Sequence, residues 1–264
     1  MTEPELLTIA YEGQDRQVYW QGVSMKDGDA FNSFMSNEVA ARLYDEEGRS
    51  EFETYLQGLA NTGFARDSLE EILSAEISEK PSWAVGEAMA EAYLSREYKI
   101  TWPWNTERDK RHPNASLPGA DLVGFIVEGE ATRLVLGEVK SSTDMKTPPS
   151  VMSGRSGLMH QIDNLASDLS LVCQLLKWLL HRCKETVYET SFKAAVRLFL
   201  ESGNRALALF GVLIRDTQPN KLDLQARGQT MAGKLEYPTT CDLSAIYLPC
   251  AIGDLPSRIP GGEP

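Results

Sequence analysis

Leu117-Pro118-Gly119-Ala120-Asp121-Leu122-Val123-Gly124-Phe125-Ile126-Val127, followed after Glu128-Gly129-Glu130-Ala131 by Arg133-Leu134-Val135-Leu136-Gly137-Glu138-Val139-Lys140, reads as a β-hairpin. If Gly129-Glu130 is its two-residue turn, paired residues have numbers that sum to 259, which sets Asp121 opposite Glu138. The two-residue period of a strand then puts Lys140 on the same face. Val123, Phe125, Val127, Leu134 and Leu136 fill the rest of that face, and Leu122, Ile126, Val135 and Val139 fill the other, so the hairpin is expected to be buried on both sides. Charges at the end of such a pair are costly without a partner. Two readings follow: an ion pair to Lys140 that closes a sheet edge, or a divalent cation held by Asp121 and Glu138, with magnesium–oxygen distances of about 2.0–2.1 Å and water in the remaining positions. A β-bulge would shift the register and break the pairing.

Working outward, Glu79-Lys80-Pro81-Ser82 is a natural boundary, and Pro81 or Ser82 opens a predicted helix from Trp83 through Leu94. Glu87 and Glu91 share one face of it at i, i+4, where like charges repel unless something positive lies between them. Tyr98 to Trp102 is expected to be a strand. Beyond Lys140, a long loop from Ser141 to Arg155 leads into a predicted helix with Leu158, Ile162, Leu165, Leu169, Val172, Leu176 and Leu179 as its core stripe and Gln161 in its first turns. Residues 206–214 read as a further buried strand. At the start of the chain, Leu6–Tyr11 and Arg16–Trp20 are predicted strands around a turn at Glu12–Asp15, followed by predicted helices over Asn37–Gly58 and Ser68–Ile77.

The chain has 264 residues with a net charge of −12. Residues 1–80 hold 17 acids and 6 bases, and residues 81–264 hold 21 acids and 20 bases, so nearly all of the excess lies in the N-terminal third. That balance argues against a protein that coats nucleic acid unaided. The N-terminal third is either a solvated acidic face or a surface that docks a partner or covers a basic groove. No apolar run approaches a transmembrane span and the first residues lack the order of a signal peptide, so a soluble cytoplasmic protein is expected. Cys173, Cys183, Cys241 and Cys250 lack zinc-site spacing and are expected to be buried thiols.

The order helix with Glu87, strand, strand with Asp121, strand with Glu138-Val139-Lys140, helix with Gln161, strand resembles the PD-(D/E)xK nuclease core over about residues 83–215. Ala120 stands where that signature has proline, with Pro118 two residues earlier. The run from Gly86-Glu87-Ala88 through residues 117–124 to residues 137–140, on a chain of this length with an acidic start, is similar to the HamA family, the nuclease subunits of Hachiman anti-phage defence systems. The resemblance implies an α/β fold in the α+β sense: a restriction-endonuclease-like core with a mixed central sheet flanked by helices, and an acidic N-terminal α/β extension. The division would be residues 1–80, a possible partner-docking region, and 81–264, the nuclease domain. It further implies a magnesium-dependent deoxyribonuclease, with manganese as an alternative ion, that degrades DNA with little sequence preference and is held in check by a helicase subunit, HamB. In that reading Asp121 and Glu138 hold the metal, Glu87 completes its coordination through a water with Glu91 as the alternative, Lys140 orients or deprotonates the attacking water, and Gln161 positions the nucleotide or Lys140.

The remaining candidates have plainer readings. His112 and His160 are surface or helix-start residues unless they act on phosphate, and His181 is a helix-end dipole contact. Arg108, Lys110, Arg111 and Arg155 are either a phosphate track or solvated loop charge. Trp102 and Trp104 are core residues or a base-stacking surface, and the chain from Ile259 is a frayed tail. The alternatives to a defence nuclease are a non-catalytic scaffold that keeps the nuclease fold for a helicase partner, and a sequence-specific restriction endonuclease. The second lacks a separate recognition domain or a strongly basic patch.

Overall fold

The computed structural model describes residues 6–74, 80–109 and 119–260. The chain opens with a hairpin, β1 (Leu7–Asp15) and β2 (Val18–Met25), whose pairing ends at Asp15↔Val18. Its turn is therefore Arg16-Gln17, with Arg16 at φ 50°, not Glu12–Asp15. Gly13 misled that expectation: it lies inside the strand, where a Cβ would sit 2.6 Å from the Trp20 indole, so its role is room for a cross-strand aromatic.

A helical stretch follows, α1 (Asp29–Ser33), a π-helical segment Phe34–Val39 and α2 (Ala40–Leu43). It breaks at Tyr44, and α3 (Glu46–Leu59) starts afresh because the Asp45 carboxylate accepts from the Gly48 amide. The predicted helix Asn37–Gly58 is thus two helices. α4 (Gly63–Ser74) begins five residues before the predicted Ser68, and the predicted end at Ile77 lies outside the described residues.

α5 (Ser82–Tyr98) opens behind Pro81 as expected and ends on Lys99, which takes a left-handed φ of 60°. It absorbs Tyr98, so the predicted strand over 98–102 shrinks to one bridge between Thr101 and Phe125. After the short α6 (Thr106–Asp109) come β3 (Leu122–Glu128) and β4 (Ala131–Ser142), antiparallel with Leu122↔Gly137 and Glu128↔Ala131. That register is the sum of 259 read from the sequence, with Gly129 at φ 61° in the turn. Val127, expected in the core, is 63% exposed near the turn.

The predicted long helix after residue 157 is two helices, α7 (Leu158–Ser167) and α8 (Leu169–Cys183), because Asp168 caps the second through the Ser170 and Leu171 amides. The break resets the helical phase, so Leu169 is exposed and Leu175 takes a buried position. α9 (Glu189–Glu201), the wholly buried β5 (Leu207–Arg215), α10 (Gln225–Ala232) and β6 (Thr240–Tyr247) complete the fold.

One six-stranded sheet runs β1-β2-β6-β5-β4-β3, with β2, β6, β5 and β4 parallel and each end closed by an antiparallel neighbour. This is the mixed central sheet expected, and it takes in the N-terminal hairpin as one of its edges. One face packs on α1, α2 and α5 through residues such as Phe31, Val85, Met89, Val135 and Val212. The other packs on α7 to α10 through Leu136, Ile162, Leu179, Phe199 and Leu209. With helices on both faces, the central strand β5 is a continuous apolar run as far as Ile214. Among the described residues no helix is long and apolar enough to cross a membrane.

Gly137 shows how tightly β4 meets β5. A Cβ there would lie 2.3 Å from the Phe210 carbonyl oxygen, a backbone atom that cannot swing aside. Gly137→Ala is expected to destabilise the fold by about 3 kcal/mol, at the upper end of core overpacking, read as a lower urea midpoint with an unchanged slope.

Candidate active site

The four parallel strands end on one side of the sheet, and the site lies where β4 leaves the core. Along β4, Glu138 and Val139 are buried while Lys140 and Ser141 are half-buried. Asp121 stands one residue before β3 and extends the hairpin's ladder with both its backbone and its side chain. Its amide donates to the Gly137 carbonyl at 3.1 Å, and its Oδ2 accepts from the Val139 amide at 2.9 Å. The carboxylate is thereby fixed beside Glu138, which is 7% exposed. Lys140 Nζ lies 2.5 Å from Glu138 Oε1.

Two glycines let the flanking helices reach this point. At Gly86 in α5 a Cβ would lie 2.8 Å from Ser141 Oγ, so a larger residue would have to turn that hydroxyl aside for the helix to sit so close to the end of β4. At Gly211, the partner of Glu138 on β5, a Cβ would lie 2.5 Å from Ile162 Cδ1 on α7. The result is a cavity of about 690 Å³ whose lining includes Glu87 from α5, Asp121, Glu138 and Lys140 from the hairpin, and Gln161 from α7. All five residues expected at the site share it. Trp83, Ser141 and Leu171 also line it. The sequence reading did not assign them, and only their position beside Glu87 and Lys140 could have suggested the first two.

Glu87 and Glu91 part company. Glu91 is 2% exposed and pairs with Arg42 Nε at 2.5 Å, while Arg42 Nη2 donates to the Trp104 carbonyl at 2.8 Å. It belongs to the packing between α2 and α5 and does not line the cavity.

Burial, then the charge of Asp121, pushes the Glu138 carboxyl up to about 7, and Lys140 opposes this only in part. The native protein therefore binds more protons than the unfolded chain between about pH 4.5 and 7. The sign follows: the contribution of this group to stability is full below about pH 4.5 and falls away as pH rises through 7, by about 3 kcal/mol at most. Comparison of Glu138→Gln with wild type by urea unfolding without divalent ions is expected to show the variant gaining relative stability from pH 5 to pH 8. A constant difference across that range would mean that Glu138 ionises normally.

The donor set fits a hard divalent cation. Two carboxylates are held together against their own repulsion, which Lys140 offsets only in part, and magnesium commonly uses one or two carboxylates and keeps several waters. Among the described residues no three His, Cys, Asp or Glu side chains converge as ligands. Glu87 lines the same cavity from α5.

The other candidates fall elsewhere. Arg108 is held by both oxygens of Asp45, at 2.5 and 2.6 Å, at a second cavity of about 620 Å³ bordered by α3, α4 and α6, where Arg49 also meets Glu107. Arg108 is exposed and ion-paired on α6, so it is solvated charge at that cavity and not at the carboxylates. Trp102 and Trp104 are core residues, with their indole N–H groups donating to Ser95 Oγ at 2.7 Å and the Val123 carbonyl at 3.2 Å. His160 and Arg155 are exposed, and His181 lies in the last turn of α8. Lys110, Arg111 and His112 lie outside the described residues, as do residues 261–264, whereas Ile259 is buried rather than frayed. All four cysteines are free; Cys183 and Cys241 are buried as expected, but Cys173 is exposed and Cys250 half-buried. No protein-family model and no curated protein matches this chain.

Proposed function

We propose that this chain is a magnesium-dependent deoxyribonuclease with a PD-(D/E)xK-type core, acting as the DNA-degrading effector of a defence complex. The observation that carries the reading is the meeting of Asp121, Glu138 and Lys140 at one cavity, with Glu87 and Gln161 brought in by the helices on either side. Asp121 and Glu138 would hold the cation. Bound there, it supplies charge neutralisation at a phosphate and lowers the pKa of water. Lys140 places a donor beside Glu138, where it orients an attacking water and offsets charge developing on the phosphate. Gln161, whose Nε2 donates to the Arg155 carbonyl at 3.5 Å, positions the substrate strand.

A helicase partner of the HamB kind is part of the proposal. A chain with net charge −12 meets DNA poorly alone, so delivery or masking by a partner is physically reasonable. α3 and α4 support a docking role for the N-terminal region: they bury no residue, and Phe52, Tyr55, Leu59, Phe64 and Ile72 are exposed along them. The test is degradation of plasmid and linear DNA in magnesium, with and without the partner. Loss of DNA that chelation abolishes and the partner suppresses is expected. Intact DNA under every condition, with partner binding retained, would make the chain a scaffold.

A further inference from the structure

A further cleft, of about 420 Å³, lies against the first turn of α7, between residues 152–155, α7 and α10. Its lining carries Arg155, His160, Arg227 and Lys234 against one acid, Asp163. Three permanent cations against one carboxylate is the reverse of the whole chain, whose net charge is −12. Solubility does not ask for this, since a chain so acidic is already well solvated.

His160 and Arg227 stand on α7 and α10, and Arg155 and Lys234 on the turns beside them. Arg227 Nη2 donates to Ser153 Oγ at 2.8 Å, which ties α10 to the segment after β4. Lys234 spans to Asp163 at 2.6 Å, and that lysine side chain is 56% exposed. Arg155 and His160 are exposed at the rim. No side chain caps the start of α7, so its first amides add partial positive charge where Arg155 and His160 stand. The cleft and the carboxylate cavity share that turn, because His160 lines one while its neighbour Gln161 lines the other and bonds to the Arg155 carbonyl.

We propose that this cleft binds backbone phosphate of a nucleic-acid strand that continues out of the carboxylate cavity, with Arg155 and Arg227 as its principal contacts. The proposal rests on the nuclease reading for its substrate but stands on its own geometry. Arginine suits the role because its planar fork matches phosphate oxygens. Each phosphate contact carries salt dependence and no sequence information, which agrees with degradation of little sequence preference.

The test uses the full chain carrying Glu138→Gln to block cleavage, a fluorescent 20-nucleotide DNA in single- and double-stranded form, and anisotropy at several salt concentrations. Arg155→Glu with Arg227→Glu is expected to weaken binding at least tenfold at low salt and to reduce the slope of log K against log salt by about 2. Arg155→Lys with Arg227→Lys is expected to keep most of the binding, which separates lost charge from lost fold, and circular dichroism checks both variants. Unchanged affinity and slope in the Glu variant would overturn the proposal, as would parent protein that binds no DNA at low salt. Displacement of the DNA by inorganic phosphate at equal concentration would mark a free-anion site and overturn it too. Wild-type cleavage separates the two ideas. DNA degraded in magnesium with the cleft variants binding normally removes the cleft and leaves the nuclease; DNA intact with the cleft variants binding weakly removes the nuclease and leaves a nucleic-acid site.

Discussion

Glu138→Gln is expected to lower magnesium-dependent DNA cleavage by about 10³-fold or more, and Lys140→Ala by about 10²-fold or more, with little or no loss of folded stability at pH 7.5. Glutamine keeps the volume of Glu138 and an oxygen that can accept from Lys140 Nζ, so the packing of β4 against β5 and α7 survives. What it removes is the charge. Burial and Asp121 already resist that charge, which is why the Glu138 carboxyl stands near 7, so the variant relieves a repulsion in the metal-free fold while losing a cation ligand. Activity and stability therefore move independently, and this separates the two readings of the hairpin. If Glu138 and Lys140 form only a structural ion pair at the end of an interior strand, Glu138→Gln would cost stability and there would be no cleavage to lose. Cleavage within threefold of wild type in either variant would remove that residue from the catalytic machinery, provided the protein unfolds at the same urea midpoint.

The hairpin was legible because its information is local. A two-residue turn and strict alternation decide register over 20 residues, and the ladder Leu122↔Gly137 to Glu128↔Ala131 follows from them. Asp121, Glu138 and Lys140 came with it. Glu87 and Glu91 could not be separated in the same way, because an i, i+4 pair looks alike from within one helix. The decision was made by Arg42, 49 residues earlier, and no local pattern reaches that far. β6 was missed for a related reason. Asp242 and Ser244 interrupt its apolar pattern, yet it lies between β2 and β5, with Asp242 set opposite Phe210 and Tyr19. Burial pushes the Asp242 carboxyl up to about 7, a cost that marks how little the strand's own sequence favours its place. Neighbouring strands, not propensity, hold it there. The helix divided at Asp168 shows the opposite error: an apolar stripe was followed through a residue whose capping chemistry ends one helix and starts the next.

The largest stability effect is expected at the end of β5, where Arg215 and Asp223 are both fully buried with Nε and Oδ2 3.7 Å apart. Arg215 also donates to Thr217 Oγ1 and, through Nη2, to the Lys146 carbonyl, each at 3.2 Å. Asp223 accepts from the Tyr247 hydroxyl at 2.8 Å, and Tyr247 in turn meets the Tyr11 hydroxyl at 2.9 Å. Burial raises the Asp223 carboxyl even against the pull of Arg215, so the attraction does not fully repay the cost of taking the carboxylate out of water. Arg215 Nη1 and Asp223 Oδ1 also lack hydrogen bonds, which leaves the pair incompletely satisfied. Asp223→Ala is accordingly expected to cost about 3–5 kcal/mol, because it strands a guanidinium that cannot lose its charge. Arg215→Met combined with Asp223→Leu is expected to recover most of that, since apolar groups of similar size owe no desolvation. The two effects are read from urea unfolding of the single and double variants. A cost below about 1 kcal/mol for Asp223→Ala would mean that water or a rearranged side chain takes over the partner's role. The pair also bears on the site, because the Lys146 carbonyl belongs to the segment that follows Lys140. If Arg215 positions that segment, the double variant is stable yet cleaves DNA more slowly, and stability alone could not account for the loss.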